Sequence, residues 1–438
     1  WYQQRLGQVP ITPLVLSTNF RSSETIISWV NNVFSRVFPS RADTRKGAVT
    51  YSQSKANRTA KAEDIVALEF FSHEEKQKAC ATKDEARWIA DTIAKTNASD
   101  SIAILAKGKA HVAPIVAELK SAGIAYQAVD IESLAHSQMI TDLMSVARAY
   151  LSPNDKTAWF ALMRGPWCGI SLIDLQRVAS VAATPWQALQ ILSNSDQWSV
   201  HFEAPVQHKL QHLHGLFVKA YGDRHRYSWQ QSLRELVLGL GLPATANNAA
   251  ELESIDLFFA LLDSINTIAD TPDFNALQRK LTDFFVPPEV YPEDQRVVQV
   301  MTMHKSKGLE FDVVFLPQLN RKPRGDDKPL ILLDKQTAIA SEEQELFLAP
   351  LESRTLQSTG SVYDYLWKLK KQRALNEAAR LLYVACTRAK RKLYLSACVE
   401  NKDGDFKKPE TNSLLALLFP IRDVIDSNVH TCTLSELD

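Results

Sequence analysis

Cationic residues set beside glycine and hydroxyl residues at strand ends are the feature of this sequence best suited to chemistry. In Val297–Leu319, VVQVMTMHKSKGLEFDVVFLPQL, an apolar run meets a polar loop, His304 to Glu310, that carries two lysines and Gly308. A second apolar run, Phe311–Leu316, follows at once. Two buried-strand signals around such a loop place it at a sheet edge, where α/β folds hold their ligands. In Glu377–Lys390, EAARLLYVACTRAK, a helix with Leu381, Leu382 and Ala385 inward delivers Thr387 and Arg388 to its end. A strand signal, Lys392–Ala397, comes next. Near the start, Asn19-Phe20-Arg21-Ser22 lies between a strand signal, Thr12–Thr18, and a helical stripe of Ile26, Ile27, Val30, Val33 and Phe34, with Ser22 or Ser23 as its cap. Each place presents Arg or Lys where an anion, phosphate above all, would meet it.

The spacing within these stretches closely resembles motifs IV, V and VI of the superfamily 1A DNA helicases, the UvrD/Rep/PcrA and RecB/AddA group. T-x-H-x-x-K-G-L-E-F stands here as Thr302, His304, Lys307, Gly308, Leu309, Glu310 and Phe311. E-x-x-R-L-L-Y-V-A-x-T-R-A stands as Glu377, Arg380 to Ala385, Thr387, Arg388 and Ala389. The tetrad N-Y-R-S/T has Phe20 in place of Tyr. The run Ala158–Leu172 and the terminal SLLALLF bring the resemblance nearer to RecB-type, exonuclease V beta-subunit-like members.

Composition sets the frame. The chain has 438 residues, 45% of them hydrophobic, enough for two or three cores. Lys plus Arg and Asp plus Glu are both 50, so the global basic excess common in nucleic-acid binders is absent. Any DNA contact must come from local runs such as Arg321–Arg324, Lys368–Arg373 or Lys390–Lys392, each of which can equally be a solvated face. Five scattered cysteines with no C-x-x-C imply a reducing compartment, with neither a disulfide frame nor a metal site. No apolar run approaches the roughly 18 residues of a membrane span. With no signal peptide and no Met before Trp1, the chain reads as a piece of something longer, cytoplasmic and not membrane-bound.

The elements imply an α/β fold. Strand signals at Ile65–Phe71, Ser101–Lys107 and Ala125–Val129 alternate with helices at Glu74–Lys95 and Ala110–Ser121, so the sheet is parallel. The helix Met139–Leu151 ends at Ser152-Pro153. From there to Pro292 helical stretches dominate: Lys156–Met163, Leu172–Ala182, Val206–Tyr221, Trp229–Leu240, Ala250–Ile268 and Phe274–Phe285. The expected organisation is therefore a RecA-like, P-loop-NTPase-type lobe at 1–153 and 293–438, interrupted by an all-α insertion at 154–292. Asn320–Leu375 is the least readable region, with short apolar pieces at Leu330–Leu333 and Leu346–Leu351 before a helix carrying Tyr363, Tyr365 and Trp367.

Phosphoryl transfer from ATP needs a phosphate-cradling Gly loop, a Mg²⁺-holding carboxylate pair and a cation at the γ-phosphate. The sequence has no G-x-x-x-x-G-K-[ST]; Gly108-Lys109 follows a strand signal but lacks the first Gly and the Ser/Thr. The resemblance accordingly implies motor lobe 2A with the inserted subdomain 2B, acting on ATP held with its Mg²⁺ by an N-terminal helicase lobe not found in this sequence. It implies arginine fingers at Arg21 and Arg388, and nucleotide contacts by Phe20, Lys307, Gly308 and Glu310. Thr302, His304 and Ser306 fall where members touch single-stranded DNA. Arg164 and Gly169, in RGPWCGIS, resemble the loop that meets duplex DNA, with Ser171 departing from the family's last Gly and Pro166 and Trp167 added. A nuclease subunit is the implied partner in the RecB/AddA branch. The alternative is a non-catalytic helicase-like scaffold that binds DNA or such a subunit.

Overall fold

A computed structural model describes the chain apart from residues 1–4, 7–8, 11–16, 75–76, 129–132, 195–196, 265–272, 287–290, 293–294, 323–327, 338–343, 352–360, 403–404, 425–426 and 432–438. Contacts divide it into two compact units, Trp1–Tyr126 with Glu293–Asp438, and Gln127–Pro292.

The first unit is α/β. Its strands are β1 (Thr18–Ser23), β2 (Lys55–Arg58), β3 (Ile65–His73), β4 (Ile102–Ala106), β5 (Tyr126–Ala128), β6 (Val298–Thr302) and β7 (Phe311–Leu316). These are followed by β8 (Ile331–Thr337), β9 (Gln344–Pro350), β10 (Ala389–Lys402), β11 (Asp405–Phe406) and β12 (Ser427–Thr431). Its main helices are α1 (Glu24–Val37), α2 (Lys78–Lys95), α3 (Ala113–Ser121) and α4 (Val362–Cys386). The large sheet runs β12-β3-β10-β7-β4-β6-β5, with β11 on β10. From β12 to β6 every neighbouring pair is parallel. All five residues of β4 are buried, as a strand covered on both faces requires.

Register fixes where the loops go. Thr302 pairs with Ala106, and Ile104 with Phe315, so the end of β6 lies level with the end of β7. The start of β7 is then about six residues, roughly 20 Å, away along the strand direction. Residues 303–310 cover that distance. They leave the carboxyl edge of the sheet and rejoin it at the amino edge.

The second unit is helical, as the sequence implies: Gln138–Leu151, Lys156–Arg164, Leu172–Val181, Pro185–Asn194, Trp198–His201, Ala204–Gly222, Trp229–Gly239, Ala249–Asp263 and Phe274–Asp283. Trp159, Tyr150, Phe217 and Phe258 fill its core. Gln138–Leu151 packs here, against Lys156–Arg164.

Some local expectations need correction. The strand signal Thr12–Thr18 falls mostly outside the described residues; the strand observed there is β1, which contains the Asn19–Ser22 tetrad. Ser23 is the N-cap of α1 but its side chain makes no capping bond, and Ser22 bonds elsewhere. The region that was hardest to read forms a hairpin, β8–β9, and one continuous 25-residue helix, α4. Cys80 is disulfide-bonded, which the expectation of unbridged cysteines did not include. Cys168, Cys386 and Cys398 are free and buried.

Candidate functional site

The amino edge of the sheet gathers the arginines. α4 is capped at its C-terminus by Thr387, whose hydroxyl folds back onto the carbonyls of Tyr383 and Val384, both at 3.0 Å. β10 begins two residues later, so Arg388 sits in a junction with no slack. Phe311 N–H donates to the Arg388 carbonyl at 3.0 Å, which locks the starts of β7 and β10 together. On the other side, Asn19 Oδ1 accepts from the backbone N–H groups of Arg21 and Ser22, at 2.9 and 3.0 Å. That turn aims Arg21 at the same edge.

Glu310 joins the pieces. Arg21 Nε donates to its Oε2 at 2.9 Å and Lys390 Nζ lies 3.0 Å from its Oε1. Lys390 first, then Arg21, holds the Glu310 carboxyl below the usual carboxylate range. Arg21 Nη1 reaches the Thr387 carbonyl at 3.5 Å. Arg388 donates Nε to Val384 O at 3.0 Å and Nη1 to Leu309 O at 3.1 Å. Burial, then the nearby Arg21 charge, pushes Arg388 below the usual guanidinium range. Arg21 and Lys390 thus contact the Glu310 carboxylate and Arg388 lies within its electrostatic reach, an excess of two positive charges among these four residues. Both guanidiniums are fixed through Nε and Nη1, and neither Nη2 makes a hydrogen bond among the described residues. This arrangement fits a multiply charged anion. It does not fit a divalent metal, because the carboxylate here is already engaged.

The remaining predicted residues spread out from this edge. Phe20 is 68% exposed beside Arg21. Lys307 and Gly308 are exposed, and Gly308 has φ 93°, a conformation that other residues adopt only under strain. Thr302 and His304 lie at the opposite, carboxyl edge, with His304 exposed. Ser306 is fully buried and donates its hydroxyl to Met303 O at 2.8 Å, bracing the loop.

In the helical unit, Arg164 Nη1 donates to Ile170 O at 3.1 Å. Gly169 has φ 59°, and its N–H is taken by Gly165 O at 2.7 Å. The turn therefore does not present the Gly169 N–H outward; the N–H groups at the start of Leu172–Val181 are the ones that follow it.

The basic runs are largely structural. Arg373 pairs with Asp334, Lys370 and Lys371 lie over the Trp367 ring, and Arg391 is surrounded by Glu63, Asp64 and Asp100. Of Arg321–Arg324, residues 323 and 324 are outside the described residues. Lys390 is the member of the arginine site that sequence reasoning did not place there. Its position two residues past Arg388, at a strand start, was the available signal.

Residues 14–400 match the UvrD-like helicase C-terminal domain. The chain belongs to that family. Relatives of this UvrD-like chain include proteins named as subunits of ATP-dependent helicase/nucleases. That of Leuconostoc mesenteroides is 26% identical over 311 residues, 69% of this chain and 24% of the relative. Those of Streptococcus thermophilus and Lactococcus lactis are 24% and 25% identical over 443 and 446 residues, covering 87% and 89% of this chain. The UvrD-like chain spans 34% and 35% of those two relatives' lengths. The matched residues 14–400 include all three motif-bearing stretches, and it is the relatives that are named for ATP-dependent helicase/nuclease action.

Proposed function

We propose that this chain is the second motor lobe, 2A with inserted 2B, of an ATP-dependent DNA helicase of the RecB/AddA branch, acting in DNA repair or recombination in the cytoplasm. The observation that carries this reading is the neighbouring Arg21 and Arg388, whose Nη2 groups are unengaged among the described residues. Bound ATP supplies the phosphoryl group, and its Mg²⁺ is held by an N-terminal lobe. On this chain, Arg21 and Arg388 grip γ-phosphate oxygens; such fingers contribute about 10³–10⁵ in rate. Phe20 offers a ring face to the base. Glu310, relieved of part of its cation load when the arginines turn to phosphate, accepts a hydrogen bond from the sugar, while Lys307 and Gly308 line the phosphate side.

Thr302 and His304 contact single-stranded DNA, the imidazole ring serving stacking and hydrogen bonding without sequence preference. Because residues 303–310 join the two edges in one short loop, a shift of Glu310 on nucleotide binding pulls directly on the DNA end. Arg164 and the Gly169 turn contact duplex phosphates, and a nuclease subunit is the protein partner. The scaffold alternative has one observation in its favour: Arg388 already satisfies two backbone carbonyls, as a structural arginine would. The deciding experiment is single-strand-stimulated ATP hydrolysis in a protein that contains this chain and a phosphate-loop lobe, with Arg388→Ala. A folded, nucleotide-binding variant with unchanged turnover establishes the structural arginine instead.

A further inference from the structure

Lys390 is the cation at the amino edge that the arginine chemistry leaves without a task. Its place is fixed by the backbone on both sides. Ala389 pairs with Phe311 and Lys392 with Val313, so β10 takes three steps where β7 takes two and carries one extra residue. Such bulges are uncommon between parallel strands and gather beside active sites, where they re-aim a side chain. Before the extra residue, the Ala389 carbonyl accepts the Ser22 hydroxyl at 2.6 Å. After it, Arg391 is fastened among carboxylates: Nη1 lies 3.4 Å from Asp100 Oδ1, Nε lies 3.7 Å from Asp64 Oδ1, and Nη2 meets Glu63. The Asp64 and Asp100 side chains are 1% and 7% exposed, so water does not loosen this anchor.

Between these two anchors Lys390 Nζ stands 3.0 Å from Glu310 Oε1, which leaves Oε2 to Arg21 Nε at 2.9 Å. The two cations therefore use separate oxygens of one carboxylate. Lys390 and Glu310 make no other side-chain hydrogen bond or ion pair among the described residues. The nearest acidic residue in the chain, Asp312, is already taken by Ser101, whose N–H and hydroxyl donate to its Oδ2 at 3.0 and 2.6 Å. The Lys390 side chain is 21% exposed and that of Glu310 44%, so the lysine is the seated member of the pair and the carboxylate the freer one. A glutamate with one cation would follow it or turn to water. Held through a second oxygen, it can lose one cation and keep its place.

We propose that Lys390 is a positioning residue for the sugar of the nucleotide: it keeps the Glu310 carboxylate at the amino edge when Arg21 passes to phosphate, so that the freed Oε2 accepts from a sugar hydroxyl. This inference rests on the ATP reading above. Arg21 is the mobile partner, because a phosphate offers its guanidinium more negative charge than one shared carboxylate does. Lys390 is the fixed partner, because both of its neighbours in the strand are tied down. The specificity that follows is for nucleotides whose sugar carries hydroxyls.

The test compares ATP with dideoxy-ATP, which lacks both sugar hydroxyls, in single-strand-stimulated hydrolysis by a protein that contains this chain and a phosphate-loop lobe. Lys390→Met keeps the apolar stem and removes the charge. It is expected to lower kcat/KM for ATP about tenfold, mostly through KM, and to change kcat/KM for dideoxy-ATP by less than about twofold. Lys390→Arg should restore most of the preference for ATP. In a Glu310→Gln background Lys390→Met should cost nothing further, since its effect passes through that carboxylate. A lysine that only stabilised the strand would lower both nucleotides alike. Equal losses on the two nucleotides, or a further loss on top of Glu310→Gln, overturn this role of Lys390 and leave the arginine reading standing, which Arg388→Ala tests separately in the same protein. Unchanged turnover for Arg388→Ala, with the preference for ATP still erased by Lys390→Met, retains the sugar contact and removes the arginine finger. No turnover by the unmodified protein overturns both.

Discussion

Ser22 donates its hydroxyl to the carbonyl oxygen of Ala389 at 2.6 Å, and both residues are fully buried. The bond joins positions 367 residues apart. Arg21 and Arg388 are the residues immediately before each partner, so this one contact fastens the two guanidiniums to the same edge. With no water to compete for it, a buried hydroxyl–carbonyl bond is costly to break, and the separation of the arginines is set by backbone and not by long flexible side chains.

Removing either arginine should act on the chemical step. In a protein that contains this chain and a phosphate-loop lobe, Arg21→Ala and Arg388→Ala should each lower single-strand-stimulated kcat by two or more decades. Arg388→Lys should restore little, since one ammonium cannot hold both Val384 and Leu309 carbonyls and still present a free pair of donors. Steady-state turnover with nucleotide binding measured in parallel separates this from a binding defect.

Glu310 should matter to the site and little to the fold. Its ion pairs are solvent-exposed, so Glu310→Gln should change unfolding free energy by under about 1 kcal/mol. Because Lys390 and Arg21 lower its pKa, its contribution is present above the ordinary carboxylate value of 4.5 and is lost as pH falls through the folded value. Turnover should drop with Glu310→Gln nonetheless, as Arg21 loses the partner that aims it. Denaturant melts at pH 7 beside kinetic assays check both halves.

His111 sets a pH window for stability. Burial, then the nearby Arg321 and Lys107 charges, hold its imidazole down at about 4 against an ordinary 6.5, so between these values the unfolded chain binds the proton and the folded chain does not. Its contribution to stability is therefore complete above pH 6.5 and is lost as pH falls toward about 4. His111→Gln should flatten the stability profile across that window, measured by urea midpoints at half-unit steps. An identical profile in the variant would refute the assignment.

Glu85→Ala should be among the most damaging changes in the α/β unit. It orphans the Gln318 N–H and the Ser396 hydroxyl, which the buried Glu85 carboxylate accepts at 2.9 and 2.6 Å, and removes what holds Gln318 at its φ of 56°. The cost is about 2–5 kcal/mol, and Glu85→Gln should recover part of it. Burial pushes this carboxyl above its ordinary range, which makes the neutral amide a tolerable substitute. Thermal or urea unfolding of the three forms reads the order directly.

Local pattern was enough for the fold class, the helical interruption and the two site-bearing stretches. An apolar run such as Ile102–Ala106 can only be a buried strand, and Phe311–Leu316 is bounded as a strand to the residue. Arg21, Glu310 and Arg388 stand in contiguous motifs and could be singled out for the same reason; that they meet at one edge is what the structure adds. Who meets whom was not legible. That Lys390 shares Glu310, that Ser306 faces inward and that Arg391 is caged by three carboxylates depend on register between strands far apart in the chain. That Thr302 and Glu310, eight positions apart, stand at opposite ends of the sheet follows from β6 and β7 both running parallel to β4, a pairing that no local pattern encodes. Polar side chains carry no periodic signal of their own partners; only the packed sheet, by fixing which strand ends are neighbours, assigns them.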